Sequence, residues 1–276
     1  MLNRKFAAWA ALCATAAVTL TACGYGGTDN GAEKAGKAEK AEEAEKRAPA
    51  PPRASAPPTT IAGLTPDRIA ARALDTTRAA GSLTARGTAV LREERGAGGT
   101  FAFALTKKGD CDGRMSGEGV SVTLREVNGS TYMQGDEEFW TKALQKEGTA
   151  KQGAETAARI FKGRWIKVPA AQAEQEGITR FCDVDALLER ATESGRGLTR
   201  GPEAQVGHRP AVTLTKKNGA ETVTYYVAAQ GRPYLLRFTV EGGDDPGTME
   251  LSGFGSDATV PAPPAGEILD PQQLGG

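Results

Sequence analysis

Four cysteines and one histidine are the side chains in this sequence with the greatest scope for covalent or metal chemistry. The cysteines are Cys13, Cys23, Cys111 and Cys182, and the histidine is His208. No two cysteines have the Cys-x-x-Cys spacing of zinc sites, and a lone histidine offers little to a metal centre. The sequence therefore predicts no metal and no cofactor. It points instead to two kinds of thiol chemistry, thioether formation and disulfide formation.

Cys23 ends the tetrapeptide Leu-Thr-Ala-Cys, which directly follows an apolar stretch at residues 6–20. A short basic segment precedes that stretch, as in a secretory signal. The stretch falls short of the roughly 20 apolar residues that a membrane-spanning helix needs. The tetrapeptide resembles the bacterial lipobox, whose cysteine receives a diacylglycerol before the preceding peptide is removed. We therefore expect residues 1–22 to be a signal peptide and Cys23 to be lipidated. An ordinary secretory signal with a coincidental cysteine is the alternative.

Lipidation at Cys23 would hold the protein at the outer face of the cell membrane, because two or more acyl chains bind a bilayer stably. Residues 23–60 are first rich in glycine, then alternate alanine with glutamate and lysine, and end rich in proline. This segment has no apolar stripe, so we expect a lipidated N-terminus followed by a disordered tether. A flexible chain of this length reaches about 35 Å, which makes it a spacer between membrane and domain.

Cys111 and Cys182 remain once Cys13 is lost with the signal and Cys23 carries the lipid. An even pair of cysteines in an exported protein predicts a disulfide. In the chain-entropy model, closing a loop of roughly 70 residues stabilises the fold by about 4 kcal/mol. Two separate buried thiols are the alternative.

Catalytic patterns are absent from the sequence. It contains neither a Gly-x-Ser-x-Gly elbow nor a phosphate-binding Gly-x-x-x-x-Gly-Lys run. His208 lies in a turn-like context, and the carboxylate pairs Asp110/Asp112 and Glu137/Glu138 lie in turns or at helix starts. With 34 basic and 34 acidic residues, the chain also lacks the positive charge that nucleic acid requires. We therefore expect a monomer that is not an enzyme and does not bind nucleic acid.

Residues 61–276 are predicted to form one domain. Thr65 and Pro66 are typical of the start of a helix, and Asn128-Gly129 is typical of a type I′ hairpin turn. A first group of predicted strands occupies 83–91, 100–106, 114–119, 120–127 and 131–133, and a second group occupies 210–215, 221–228, 234–240 and 248–254. Predicted helices at 136–147, 154–161 and from Asp183, with a short predicted strand at 163–169, lie between the two groups. This order predicts an α+β fold with a long antiparallel sheet and helices on one face.

The order of these features resembles the actinobacterial LppX/LprG-type lipoproteins, within the wider LolA/LolB-like half-barrel group. The segments that carry the resemblance are 20–23, 81–87, 127–133, 139–140, 163–168 and 231–238. In that group a curved antiparallel sheet, a half-barrel, wraps a few helices and leaves an apolar cavity for acyl chains. The resemblance implies the same architecture here. The Cys111/Cys182 pair and the long charged tether depart from the mycobacterial members.

Four aromatic residues, Phe139, Trp140, Phe161 and Trp165, are our candidates for lining such a cavity, with core packing as the alternative for each. The first functional hypothesis is a membrane-anchored lipoprotein that binds or carries a hydrophobic, acylated ligand in the cell envelope. The second is an envelope interaction or sensor-partner lipoprotein with a filled core and no ligand. An exported hydrolase ranks third, because the sequence offers no residues for it.

Overall fold

The computed structural model describes residues 61–90 and 98–270. The predicted signal peptide at 1–22, Cys23 and the predicted tether at 23–60 lie outside these residues. Within the described part, twelve strands, six α-helices and two 3-10 helices form the domain. The predicted α+β class is confirmed, because a large, unclosed, curved antiparallel sheet packs against the helices.

The twelve strands form one sheet. They are β1 (Leu83–Val90), β2 (Gly98–Leu105), β3 (Cys111–Gly117), β4 (Val120–Val127), β5 (Ser130–Gly135), β6 (Trp165–Val168), β7 (Thr199–Val206), β8 (Arg209–Asn218), β9 (Glu221–Ala228), β10 (Leu235–Glu241), β11 (Gly247–Ser252) and β12 (Ile268–Leu269). Their order across the sheet is β12-β6-β5-β4-β3-β2-β1-β11-β10-β9-β8-β7. The pairing of β12 with β6 is parallel, and the others are antiparallel. The two groups of strands therefore meet where β1 pairs with β11.

The helices precede the first group of strands or lie between the two groups. They are α1 (Pro66–Arg78), α2 (Glu137–Lys146), α3 (Lys151–Phe161), α4 (Ala170–Gln175), α5 (Val184–Leu187) and α6 (Glu189–Glu193), with 3-10 turns at Ile178–Cys182 and Ala265–Glu267. Thr65 is the N-cap residue of α1 and Pro66 is its first residue, as predicted. The carboxylates of Asp136 and Asp183 accept hydrogen bonds from backbone N–H groups at the starts of α2 and α5.

Helix α1 covers one face of the sheet, which we call the inner face. Its residues Ile69 and Ala73 are fully buried. The Thr77 hydroxyl donates to the carbonyl oxygen of Ala73 at 2.8 Å and accepts from the Leu235 N–H at 3.0 Å. That N–H lies beside a register shift in the pairing of β10 with β9. Because a buried N–H without a partner costs about 1–3 kcal/mol, Thr77 fixes α1 to the sheet at this point.

The predicted disulfide joins Cys111 to Cys182 across a Cα–Cα distance of 5.5 Å. It attaches the 3-10 turn before α5 to the first residue of β3. The ring of Phe181 stacks on Phe103 with 5.8 Å between centroids. Phe103 in turn lies over Gly113, where an added Cβ would come within 1.8 Å of the Phe103 ring. The helical segment is thus tied to the inner face by a covalent bond and by an aromatic stack.

The hairpin turns contain residues that accept positive φ. Asn128 and Gly129 both have positive φ, 51° and 71°, which confirms a type I′ turn between β4 and β5. Gly219 starts the turn between β8 and β9 with φ of 61°. His208 lies exposed in the two-residue turn between β7 and β8.

Strand β7 is the main difference from the predicted elements. Gly201 and Pro202 interrupt its sequence, so its pattern does not read as a strand. The structure places β7 at the edge of the sheet, where a proline need not donate a ladder hydrogen bond. A register shift between Arg200 and Glu203 accommodates both residues.

Candidate functional site

A cavity of about 390 Å³ lies at the inner face where β10, β11, β1 and β2 meet, beside α5 and α6. Its apolar lining includes Phe101 from β2, Leu187 from α5, Phe238 and Val240 from β10, and Met249 from β11. The volume falls within the roughly 300–1,000 Å³ typical of small-molecule sites. The site therefore has the size and the lining of a pocket for an apolar group.

Two of the residues that line this hollow, Ala89 and Gly247, belong to a row of small residues on four adjacent strands. Gly247, Ala89, Gly99 and Gly117, on β11, β1, β2 and β3, are consecutive cross-strand partners. We call these four residues the small-residue row. Side chains directly opposite each other normally fill the face of a sheet. Here at most one methyl group projects from each strand, so space remains between the sheet and the helical segment. Glycine clusters such as 96–99 and 116–119 are also typical of turns, so the sequence alone does not reveal this row.

Gly87 lets two of the cavity walls come together. It lies opposite Phe101 on β2 and opposite Met249 on β11. A Cβ at this position would lie 1.8 Å from the carbonyl oxygen of Thr248 and 3.0 Å from the Phe101 ring. Because no side chain fits there, glycine is required for the close approach of β1 and β11 rather than for an unusual backbone angle.

Tyr225 holds α6 beside the cavity. Its side chain is fully buried, and its hydroxyl donates a hydrogen bond to the carbonyl oxygen of Ala191 in α6. Burial raises the pKa of the Tyr225 phenol, which keeps the group protonated and able to donate. The Tyr225 ring also meets Phe238 edge-on, with 5.1 Å between centroids. The same residue thus joins the helix to a cavity wall.

Charged groups stand at one side of the cavity. Arg190 of α6 lines it and makes an ion pair with Glu221 at 2.5 Å and a longer one with Asp245 at 4.0 Å. The Arg190 side chain is 38% exposed, so this rim is in contact with solvent. The site therefore combines an apolar interior with a polar edge, an arrangement that suits an amphipathic ligand.

Three of the four predicted cavity residues meet in a separate cluster. Phe139 and Trp140 of α2 and Phe161 of α3 make edge-on contacts with centroid distances of 5.0 and 5.6 Å. They pack with Ala158 and Ile166 above β5 and β6. None of the three lines the 390 Å³ cavity.

Trp165, the fourth candidate, lies on the opposite face of β6 from Ile166, because neighbouring residues of a strand alternate between faces. The guanidinium of Arg125 lies 4.6 Å from the centroid of its ring. Trp165 is 5% exposed, so this contact is nearly closed to solvent. The structure does not place Trp165 with the other three aromatic residues.

The remaining candidates for chemistry have structural partners. Asp112 pairs with Arg125 at 3.2 Å, and Asp110 accepts a hydrogen bond from the backbone N–H of Asn128 at 2.9 Å. In residues 61–90 and 98–270, no three side chains of His, Cys, Asp or Glu are grouped so as to hold a metal ion. The helices of the same residues include none with the length and apolar character needed to cross a membrane.

Comparisons with known proteins find similarity among solved structures alone. No family model matches the chain, and no curated protein matches it. One similar structure is the lipoprotein LppX from Mycobacterium tuberculosis, with 11% identity, a TM-score of 0.44, and coverage of 71% of this chain and 97% of that chain. Another is LprF from Mycobacterium bovis, with 12% identity, a TM-score of 0.45, and coverage of 71% and 96%.

A third similar structure is the MucA/MucB complex from Pseudomonas aeruginosa, with 15% identity and a TM-score of 0.31. It covers 74% of this chain and 60% of that chain. LppX, which the sequence resemblance names, is thus also found by the comparison of structures.

Proposed function

We propose that this protein is an exported lipoprotein, anchored at the outer face of the membrane through Cys23, that binds a hydrophobic, acylated ligand. The observation that carries the proposal is the 390 Å³ cavity and its apolar lining. Sequestration is the mechanism: the ligand's chain leaves water and enters the space over the small-residue row. Each buried methylene contributes roughly 0.8 kcal/mol to such binding.

The charged rim gives the ligand an orientation. Arg190, Glu221 and Asp245 lie where an acyl chain in the cavity would end and its polar head would begin. A polar head there keeps its contact with solvent, while the chain lies against Phe238 and Val240. The arrangement favours an amphipathic ligand over a wholly apolar one.

The sequence supports the anchor. The Leu-Thr-Ala-Cys run at residues 20–23 follows an apolar stretch of signal-peptide length. The polar segment at 23–60 then gives the domain a reach of about 35 Å from the membrane. A domain held this way can meet ligands at the membrane surface without a transmembrane helix.

A filled core without a ligand is the second candidate. It is favoured by the packing around Ile69, Phe103 and Leu124, which are at most 1% exposed. Beneath α1 and the disulfide-linked turn, the inner face is therefore closed. In this case the cavity would be a local hollow, and the protein would act through its surface in an envelope complex.

Titration with a fluorescent fatty acid distinguishes the two candidates. Purified chain carrying Cys23→Ser should bind the probe saturably at one site, and an unlabelled phospholipid should displace it. A chain with a filled core gives no saturable signal. In its own host, the Cys23→Ser variant should leave the membrane fraction. Retention of that variant in the membrane would contradict the lipid anchor at Cys23 and would leave the proposal of ligand binding in the cavity unaffected.

A further inference from the structure

Three arginines lie in register across the outer face of the sheet, on the other side from α1. From one strand to the next, the cross-strand partners on β3, β2, β1, β11 and β10 are Arg114, Ala102, Arg86, Glu250 and Arg237. We call these five residues the arginine row. Residues beside them along the strands, such as Ala85 and Leu251, are buried on the inner face, which places the row on the outer face.

The row lies at the middle of a convex surface. Strand β1 is the seventh of the twelve strands in spatial order, and β3 and β10 are the fifth and the ninth. Since neighbouring strands lie about 4.8 Å apart, the backbone positions of consecutive arginines in the row are about 10 Å apart. The sheet curves around the helices, so its middle strands form the crest of the outer face. A flat partner would meet the domain at this crest.

Two of the three arginines carry a charge that no carboxylate neutralises. Arg86 and Arg114 are exposed, and neither makes an ion pair with another residue of 61–90 or 98–270. Arg114 donates a hydrogen bond to the uncharged hydroxyl of Ser121 at 3.0 Å. Arg237, in contrast, donates to Glu250 at 2.9 Å. Three guanidinium groups and one carboxylate leave the row with two net positive charges.

The other charges of the outer face do not cancel this excess. The outward-facing strand positions carry seven basic residues, Arg86, Arg114, Arg125, Lys167, Arg209, Lys217 and Arg237, and three acidic ones, Asp112, Glu241 and Glu250. In the segment after β11, Asp257 pairs with Lys107 at 2.9 Å and Asp270 pairs with Lys167 at 3.4 Å. The whole chain has 34 basic and 34 acidic residues, so the positive excess belongs to this face rather than to the chain.

Hydroxyl groups lie beside the two exposed arginines. Thr84 and Thr88 are two residues from Arg86 along β1, and Ser116 is two residues from Arg114 along β3, so all three project from the outer face. Phosphate oxygens accept hydrogen bonds from hydroxyl and guanidinium groups alike. The planar fork of arginine also matches phosphate with two parallel hydrogen bonds. The chemistry of this face therefore suits a surface that presents phosphodiester groups.

We propose that the arginine row docks the domain onto a bilayer that contains anionic phospholipids. Charge complementarity is the first reason for this partner. The tether is the second, because residues 23–60 end where the described domain begins, and a chain of that length reaches about 35 Å. This docking rests on the lipid anchor of the proposed function, which keeps the bilayer at a high effective concentration, so a weak attraction is sufficient.

Co-sedimentation with vesicles tests the docking. Purified chain carrying Cys23→Ser, which has no lipid anchor, is mixed with vesicles of phosphatidylglycerol and phosphatidylcholine, and separately with vesicles of phosphatidylcholine alone. The chain should sediment with the anionic vesicles only. Binding should disappear as the salt concentration rises from about 0.1 M to about 1 M, because the Debye length falls from about 10 Å to about 3 Å.

The double variant Arg86→Gln, Arg114→Gln removes the two exposed charges of the row. Each arginine near an anionic surface contributes about fivefold to affinity, so this variant should bind anionic vesicles roughly 25-fold more weakly. The matched control is Arg68→Gln, Arg72→Gln, which changes the net charge equally on the exposed side of α1. The control should bind like the parent chain, and both variants should unfold at the same temperature as that chain.

The proposal is overturned if the parent chain does not sediment with anionic vesicles at low salt, or if the row variant and the control lose affinity equally. It is also overturned if the parent chain binds soluble polyphosphate and not the vesicles. Failure of the anchor is a separate result. Washing host membranes in about 1 M salt releases docked chain but not lipidated chain, so Cys23→Ser chain that survives this wash contradicts the anchor and leaves the docking standing.

Discussion

Ala89 is the residue of the small-residue row best placed to test the cavity. It lines the cavity, and its two cross-strand neighbours are Gly247 and Gly99, so no side chain lies beside it. The substitution Ala89→Leu adds three carbon atoms to this space. If the cavity is apolar and empty, the new side chain is buried where nothing has to move.

The magnitude follows from the added carbons. Three buried carbons contribute roughly 2.4 kcal/mol at about 0.8 kcal/mol each. Ordering the leucine side chain removes roughly 0.5–1 kcal/mol. The ligand-free Ala89→Leu chain should therefore be about 1–2 kcal/mol more stable than the original. The same carbons exclude a ligand segment of equal size, which should weaken fatty-acid binding roughly 50-fold.

Two assays check the two halves of this prediction. Denaturant unfolding of the ligand-free chain gives the change in stability, and titration with a fluorescent fatty acid gives the change in affinity. Ala102→Leu is the control, because Ala102 lies exposed on the outer face of β2. It should change neither quantity. Unchanged fatty-acid affinity in Ala89→Leu, or a loss of stability, refutes the reasoning, because the ligand would then bind elsewhere or the space would not be empty.

Three further predictions concern the fold around the site. Gly87→Ala should destabilise the chain by about 1–3 kcal/mol in urea unfolding, because the added Cβ would clash with the backbone oxygen of Thr248. The control is Gly98→Ala, whose added Cβ has no atom within 4 Å, and it should change stability by less than about 0.5 kcal/mol. Replacing Cys111 and Cys182 by serine opens a loop of 71 residues and should cost about 4 kcal/mol, and a loss under about 1 kcal/mol would contradict the chain-entropy account. Burial of the Glu126 carboxyl, and then the charge of Asp110, raise the pKa of Glu126 above 4.5, so the free energy of unfolding should fall as pH rises through the folded-state pKa. Glu126→Gln should remove this step, and a variant with the same pH profile as the original chain would contradict the prediction.

Local sequence signals predicted much of the fold. Asn128-Gly129 specifies a type I′ turn because both residues accept positive φ, and Thr65-Pro66 starts a helix because proline needs no N–H partner there. The Cys111–Cys182 bond followed from counting the cysteines that lipidation and export leave over. The turn and the helix start depend on neighbouring residues, and the disulfide follows from a count of cysteines. None of these three predictions requires knowledge of which strands pair or in which register.

The cavity could not be predicted in the same way. Gly99 and Gly117 are 18 positions apart in the sequence, yet they are neighbours in the sheet because β2 pairs with β3. Glycine clusters favour turns locally, and the pairing of strands decides that these two residues continue the row of Gly247 and Ala89, which line the cavity. A shift of one residue in the pairing of β2 with β3 would move these positions to the other face of the sheet.

Register also explains where the aromatic residues lie. Phe139, Trp140 and Phe161 belong to helices that pack near β5 and β6, while the small-residue row runs across β11, β1, β2 and β3. Aromatic residues indicate where apolar area is buried. They occur in well-packed clusters as well as in cavity walls, so their presence does not distinguish the two. The absence of side chains, rather than their size, marks the cavity in this fold.

Native mass spectrometry of the Cys23→Ser chain, purified from its own host, tests the central claim most directly. The account predicts an adduct with the mass of an acylated lipid, present on the chain and depleted in the same chain carrying Ala89→Leu. The Ala102→Leu control should keep the adduct. A chain that carries no lipid adduct in any preparation, while remaining folded, would contradict the claim that this cavity binds an acylated ligand.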